Sequence, residues 1–254
     1  MKTLIPIFLF LSCTFAAENQ KTFVLVHGAF EDGSVWHDVA RQLEKKGHHV
    51  VVVNLPGRPA HPAGADGVSA EKYRDTIVDA IGDRPQVILV GHSFGGIQIS
   101  NVAEAVPDRI HALVYVAAYL PRNGESLQSL SAADKESQVG ASFLVSPDYK
   151  TASIKESERV KLFCADCSMA VKAHLQLLDE PLPPMAQPVK LTPERFGSVK
   201  RYYVTTLKDV VVSTAWQKQM YTATPVEKVY PVETGHTPFL VRPAELAGIL
   251  VSIP

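Results

Sequence analysis

Gln86-Val87-Ile88-Leu89-Val90-Gly91-His92-Ser93-Phe94-Gly95-Gly96 decides how this chain is read. An apolar, β-branched run enters a Gly-x-Ser-x-Gly turn, and a helical pattern from Gly95 to Val106 follows and stops before Pro107. Buried strand, sharp turn, then helix is the order that a nucleophile elbow requires. Gly91 and Gly95 leave room where a side chain would strike the adjoining strand or helix. Ser93 is then expected at a helix N-terminus, where the dipole favours developing negative charge. Alone, Gly-x-Ser-x-Gly is a weak signal, and its bland reading is a glycine turn that only permits close packing. The strand, the helix and the additional Gly96 make it specific.

Further runs of the same kind lie on either side: Thr22–Val26, His49–Leu55, Ile110–Ala118, Arg201–Thr206 and Val226–Val232. They are rich in Val and Ile and barely alternate with polar residues, the mark of strands buried on both faces. Helical patterns fall between them: Trp36–Lys46, Ser69–Ile81 with a serine cap, Ser213–Tyr221 and Pro243–Val251. Alternating strand and helix predicts an α/β fold with a mostly parallel central sheet and helices on both faces. Residues 119 to about 198 break the rhythm with a polar stretch, a helical pattern at Ser168–Leu178 and Pro181, Pro183, Pro184 and Pro188. Roughly 80 residues is too long for a plain loop, so a mainly helical cap inserted between strands is expected.

A serine nucleophile needs a base and an orienting acid. His236 lies in Glu233-Thr-Gly-His-Thr-Pro, after the last apolar run and before the last helix, where the base comes last in the order serine, acid, histidine. Asp209 follows Arg201–Thr206 within three residues and is the expected acid. Glu233 is a weaker candidate, and Tyr115–Pro121 offers no acid at the other usual position. The acid would accept the His236 Nδ1–H bond and stabilise the imidazolium formed during attack. The oxyanion is expected on the backbone N–H groups of Phe94 and of Ala29, in His27-Gly28-Ala29-Phe30 after the first strand. Gly28, His92 and Thr237 are expected beside the substrate, with His92 read as a pocket wall or packing residue. The remaining histidines at 37, 48, 49, 61, 111 and 174 fall on rims, element ends or loops. No pair has zinc-ligand spacing, and neither metal nor cofactor is expected.

The chain has 254 residues, 46% hydrophobic and 20% charged, with a formal net charge of -1. It can bury a sizeable core, which excludes disorder. Without a basic or acidic tail it gives no sign of binding nucleic acid or an anionic membrane surface. Lys2, the apolar Leu4–Leu11 and the small residues at Thr14-Phe15-Ala16-Ala17 resemble a secretory signal peptide cut near Ala16 or Ala17. Residues 1–17 are therefore expected to be a removable address and 18–254 the folded domain, secreted or periplasmic. A retained anchor is the alternative, and Cys13 after Leu11-Ser12 adds a lipoprotein reading that Phe10 fits poorly. No stable membrane contact is expected once that segment is gone, and a homodimer stays open. Cys164-Ala-Asp-Cys167 has the spacing of a redox motif and could also close a short disulfide.

Phe23-Val-Leu-Val-His-Gly-Ala29, Gly91-His-Ser-Phe-Gly-Gly96, Glu194-Arg-Phe-Gly-Ser-Val-Lys-Arg201 and Gly235-His-Thr-Pro-Phe239 together resemble one group of the α/β-hydrolase superfamily. It holds plant methyl esterases, salicylate-binding esterases and hydroxynitrile lyases, with bacterial carboxylesterase relatives. The resemblance runs from about residue 22 to 250 and includes Phe163-Cys-Ala-Asp-Cys-Ser168. It implies a serine esterase acting on small carboxylic esters, methyl or aryl esters among them, with the triad Ser93, Asp209 and His236 and oxyanion donors Ala29 and Phe94. The group's lyases resemble His-Thr-Ile where this chain has His27-Gly28-Ala29, and carry lysine where it has Thr237. Both positions are esterase-like. The resemblance also favours packing in a cap helix over a disulfide for Cys164 and Cys167. Amidase, lactonase and thioesterase chemistry on the same triad, or a receptor-like role, remain as alternatives.

Overall fold

The computed structural model describes residues 20–254. The expected signal segment and the lipoprotein cysteine, Cys13, lie outside the described residues.

Six strands form the central sheet: β1 (Thr22–Val26), β2 (His49–Val53), β3 (Val87–His92), β4 (Ile110–Val116), β8 (Lys200–Thr206) and β9 (Lys228–Val232). All neighbours run parallel, in the order β2-β1-β3-β4-β8-β9. The chain moves outward from β1 to β2 and then returns to the other side of β1 with β3. In an open parallel sheet that reversal opens a crevice at the carboxyl ends of the two inner strands. Here those ends carry the His27–Phe30 loop and the Ser93 turn.

Side chains alternate across the sheet and so explain why the runs carry no polar face. Val24, Val26, Leu89, Leu113 and Tyr115 join one core, whereas Phe23, Leu25, Ile88, Val90 and Val114 join the other. The first core packs against α2 (Ala70–Ile81) and α3 (Gly95–Ala105) through Tyr73, Ile77, Ile97 and Val102. The second packs against α1 (His37–Lys45) and α10 (Pro243–Ser252) through Val39, Leu43, Leu246 and Leu250. The helices start where the sequence puts caps: the Ser69 side chain accepts from the Lys72 N–H, and Ser213 from Trp216 at the start of α8 (Thr214–Ala223).

The cap between β4 and β8 is more mixed than expected. It holds short helices, α4 (Leu127–Ala133), α5 (Arg159–Phe163), α6 (Met169–His174) and α7 (Pro183–Ala186). It also holds a three-stranded antiparallel sheet of β5 (Phe143–Val145), β6 (Thr151–Ile154) and β7 (Glu180–Pro181). Strands of three, four and two residues are too short for alternation to register in sequence. The helix expected at Ser168–Leu178 ends at His174, because the following residues leave it and Leu178 N–H donates to the Phe30 carbonyl at 2.7 Å. The chain closes with α9 (Pro238–Val241), directly after the predicted base, and α10.

Candidate active site

Ser93 sits between β3 and α3 with φ +50°, a conformation L residues adopt at a cost of about 1–2 kcal/mol. The surroundings over-determine it. Its N–H donates to the Val116 carbonyl at 3.2 Å, and its own carbonyl accepts from Gly96 at 3.0 Å and Tyr119 at 3.1 Å. The glycines give the room that the sequence motif implied. A Cβ at Gly91 would lie 2.6 Å from the Gly95 carbonyl oxygen, and one at Gly95 would lie 2.8 Å from the His27 carbonyl oxygen. Both clashes are with backbone, which cannot step aside.

Ser93, Ala29 and Phe94 line one cavity of about 630 Å³ beneath the cap. Among the described residues neither the Ala29 N–H nor the Phe94 N–H has an acceptor. Two unengaged donors beside a serine are what an oxyanion site presents before substrate arrives. The wall is mainly apolar, with Phe30, Phe143 and Phe163 among its residues, and Asp134 is its one acidic or basic residue among the described residues. Both Asp134 oxygens are engaged, by the Ser213 N–H and hydroxyl at 2.8 and 2.7 Å.

His236 follows β9, and its Nδ1 lies 2.8 Å from Asp209 Oδ2, with both side chains fully buried. Asp209 also accepts from the Thr206 hydroxyl at 2.9 Å and the Gln217 amide at 3.0 Å. Its other oxygen accepts from the N–H groups of Val211 and Val212 at 2.8 and 3.1 Å. Glu233, the weaker acid candidate, is exposed and reaches Lys208 at 3.5 Å. The His236 ring lies 5.5 Å from that of Phe163, a residue of the cavity wall. His236 Nε2 is buried and has no hydrogen-bond partner among the described residues, so no bond joins it to Ser93 here. Such bonds are often loose without substrate and tighten in the reacting complex.

Of the residues expected beside the substrate, His92 takes its packing role and Thr237 is corrected. His92 is fully buried behind the cavity, its Nδ1 2.9 Å from Glu31 and its Nε2 2.9 Å from the His236 carbonyl oxygen. Thr237 is also buried, and its hydroxyl donates to the Phe163 carbonyl at 2.5 Å. Neither lines the cavity, since both are held by other buried partners. Gly28 serves by lacking a side chain: a Cβ there would lie 2.9 Å from Ser93 Cβ.

The cap residues Phe163 to Cys167 clasp the base loop. Thr237 holds Phe163, and the Gly235 N–H donates to Asp166 at 2.8 Å. Cys164 and Cys167 are joined as a disulfide with Cα atoms 5.0 Å apart, which corrects the favoured reading of two packed thiols. Closing so short a loop removes little chain entropy. Its effect is local, fixing the turn that carries Asp166.

Sequence reasoning missed a set of buried charges behind these loops. Glu31 accepts from the Gly28 N–H at 3.0 Å and pairs with His92. Burial alone would raise its carboxyl, but the His92 ring, helped by His236 and the Gly28 N–H, outweighs this and holds it below the usual range. Arg58 and Glu180 form an ion pair with both side chains fully buried. Burial pushes the Glu180 carboxyl up, against the opposing pull of Arg58. Charged residue types signal surface, so only unusual burial marks these, and burial is not visible in sequence.

His27 is neutral at pH 7. Burial, and next the charge of Arg58, lower its pKa from 6.5 to about 4. The hydrogen bonds agree: Nε2 accepts from the Leu55 N–H at 3.2 Å, so Nδ1 carries the proton donated to the Gly28 carbonyl at 2.8 Å. The folded value lies below the unfolded one, so the unfolded chain takes up this proton first as pH falls. The stabilisation is present above about pH 6.5 and is lost between there and about 4, on the order of 3 kcal/mol. Urea unfolding at pH 7.0 and 4.5 should show that loss, and His27→Asn should lessen the difference. An equal decline in the variant would refute the assignment.

The parallel sheet, the strained serine turn and the histidine–carboxylate pair define an α/β hydrolase. The chain belongs to the alpha/beta hydrolase family, whose profile matches residues 23–249. It is similar to methylesterase 7 of Arabidopsis thaliana, 28% identical over 263 residues, covering 92% of this chain and 96% of the relative. It is similar as well to polyneuridine aldehyde esterase of Rauvolfia serpentina, 27% identical over 256 residues, covering 93% and 97%. The crystal structure of a polyneuridine aldehyde esterase superposes with a TM-score of 0.82 at 25% identity, covering 92% of this chain and 99% of that one. Four Arabidopsis thaliana relatives named as chloroplastic are longer, and the chain spans 63, 72, 71 and 56% of their lengths.

Proposed function

We propose that the chain is a carboxylic ester hydrolase that works through an acyl-enzyme on Ser93. One observation carries the reading: Ser93, Ala29 and Phe94, the last two with unengaged N–H groups, line one apolar cavity beside a buried His236–Asp209 pair. In this reading Ser93 Oγ attacks the ester carbonyl carbon while His236 Nε2 takes its proton. The carbonyl oxygen becomes an oxyanion between the two N–H groups. The tetrahedral adduct collapses, the C–O bond to the alcohol breaks, and the alkoxide leaves with the proton from His236. Water, deprotonated by His236, then attacks the acyl-enzyme and releases the acid and Ser93. Asp209 holds the imidazole and stabilises its charged form.

The apolar, partly aromatic wall favours neutral esters with an aryl or comparably bulky apolar group. The Asp134 carboxylate disfavours anionic ones. The names of esterase relatives support ester cleavage at the level of the family. The pattern of the first 17 residues supports export, which the mass of the mature protein tests.

A fluorophosphonate probe tests the reading. It should inactivate ester hydrolysis in step with a single adduct, found by mass spectrometry on the peptide holding Ser93. An adduct elsewhere, or inactivation without one on Ser93, would overturn it. Among substrates, phenyl acetate should be hydrolysed faster than an ester bearing a free carboxylate.

A further inference from the structure

We propose that Glu180, supplied by the cap, is a positioning residue that acts with His27 to hold the direction of the Ala29 N–H in the oxyanion site. The inference rests on the hydrolase reading above and extends it to a residue that touches no reacting atom.

Ala29 lies between two peptide groups, and both are pinned. On its N-terminal side the Gly28 carbonyl accepts from His27 Nδ1 at 2.8 Å. In a trans peptide the N–H opposes the C=O, so this fixes the Ala29 N–H on the opposite face. On its C-terminal side the Phe30 N–H donates to Glu180 Oε2 at 2.9 Å. Phe30 has φ +64°, a conformation that a bulky residue holds only when its neighbours impose it. Its carbonyl is gripped as well, by the Leu178 N–H at 2.7 Å. One cap segment thus grips Phe30 by both of its backbone polar groups.

Glu180 is itself held from the hydrolase body. The Tyr73 hydroxyl on α2 donates to Oε1 at 3.0 Å, and Arg58 pairs with Oε2. Arg58 Nε donates in turn to the Glu31 carbonyl at 2.6 Å, one residue beyond Phe30. All of these groups are buried. A lone cap-to-body anchor would need only one bond. This arrangement surrounds Phe30, the strained residue directly after the Ala29 donor, where a peptide rotation would be damaging. Without the Glu180 acceptor, Phe30 is free to leave positive φ and the Ala29–Phe30 peptide turns with it, so that the Ala29 N–H is held from its N-terminal side alone, through His27.

The test separates orientation from folding. Glu180→Ala would strand Arg58 as an unpaired buried charge, so the informative variant is the double Glu180→Leu/Arg58→Leu, which removes the pair together. With p-nitrophenyl acetate its kcat should fall by about 10- to 100-fold while KM changes little, a fraction of the loss seen on deleting an oxyanion donor outright. Phenylboronic acid, whose serine adduct mimics the tetrahedral intermediate, should bind more weakly by a similar factor. Glu180→Gln keeps an acceptor for Phe30 and should retain most of both properties. A double variant that melts cooperatively and keeps wild-type kcat and boronate affinity would overturn the proposal. Should that variant not fold, Glu180→Asp, with its carboxylate withdrawn by one methylene, decides by the same two readouts. If Ser93→Ala keeps full turnover, the hydrolase reading itself fails. If Ser93→Ala is inactive while the Glu180 variants are unimpaired, only this inference fails.

Discussion

Replacing Ser93 by alanine is expected to remove nearly all hydrolysis of p-nitrophenyl acetate, by about 10⁴-fold or more in kcat, and to leave the fold intact. The loss is large because in the proposed mechanism the serine oxygen forms the acyl bond, and no neighbouring hydroxyl lines the cavity in the same turn. What survives is the stabilisation of a tetrahedral oxyanion by Ala29 and Phe94 N–H, which can assist attack by water. The fold should survive because Ser93 Oγ makes no hydrogen bond among the described residues. Alanine and serine meet the same steric cost at φ +50°. Ser93→Gly removes that cost and should melt at a higher temperature than Ser93→Ala, although both are inactive. Steady-state kinetics and thermal melts of the two variants check this together. Turnover by Ser93→Ala at the wild-type rate would remove the serine from the mechanism.

The parts of this molecule that were legible in sequence share a physical cause. Strands buried on both faces need apolar residues at every position, so β1, β3 and β4 announce themselves without a partner in view. Ser93, Asp209 and His236 are legible because each follows a strand at the same edge of the sheet, and chain order alone ranks them. Gly91 is legible because its clash would be with the Gly95 backbone in the same turn, whereas the clash at Gly95 is with the His27 carbonyl just after β1 and shows only in the fold. What stayed hidden depends on contacts across long separations. Glu180 meets Phe30 across 150 residues, and Arg58 meets Glu180 across 122. His92 and Thr237 adjoin Ser93 and His236 in sequence, yet their side chains answer to Glu31, the His236 carbonyl and the Phe163 carbonyl instead of to the cavity. The cap sheet hid for a different reason, since strands of two to four residues carry too few positions to show a period.

Asp209→Asn should cost nearly as much as loss of the serine, about 10³- to 10⁴-fold in kcat, and unlike Ser93→Ala it should also destabilise the fold. The reason is the number of donors around the carboxylate. Oδ2 faces His236 Nδ1, the Thr206 hydroxyl and the Gln217 amide, while Oδ1 faces the Val211 and Val212 N–H groups. An asparagine must put its NH₂ on one side or the other. Towards Val211 and Val212 it opposes two backbone donors that cannot rotate. Towards His236 it opposes the Nδ1–H and favours the tautomer with its proton on Nε2, where the nucleophile's proton must be received. Both orientations leave a buried donor without an acceptor, at about 1–3 kcal/mol. Both also remove the negative charge that stabilises the imidazolium. Kinetics on p-nitrophenyl acetate and urea unfolding measure the two consequences separately. An active Asp209→Asn would move the acid role to another group, and Glu233, exposed and beside Lys208, would then have to reorganise to reach His236.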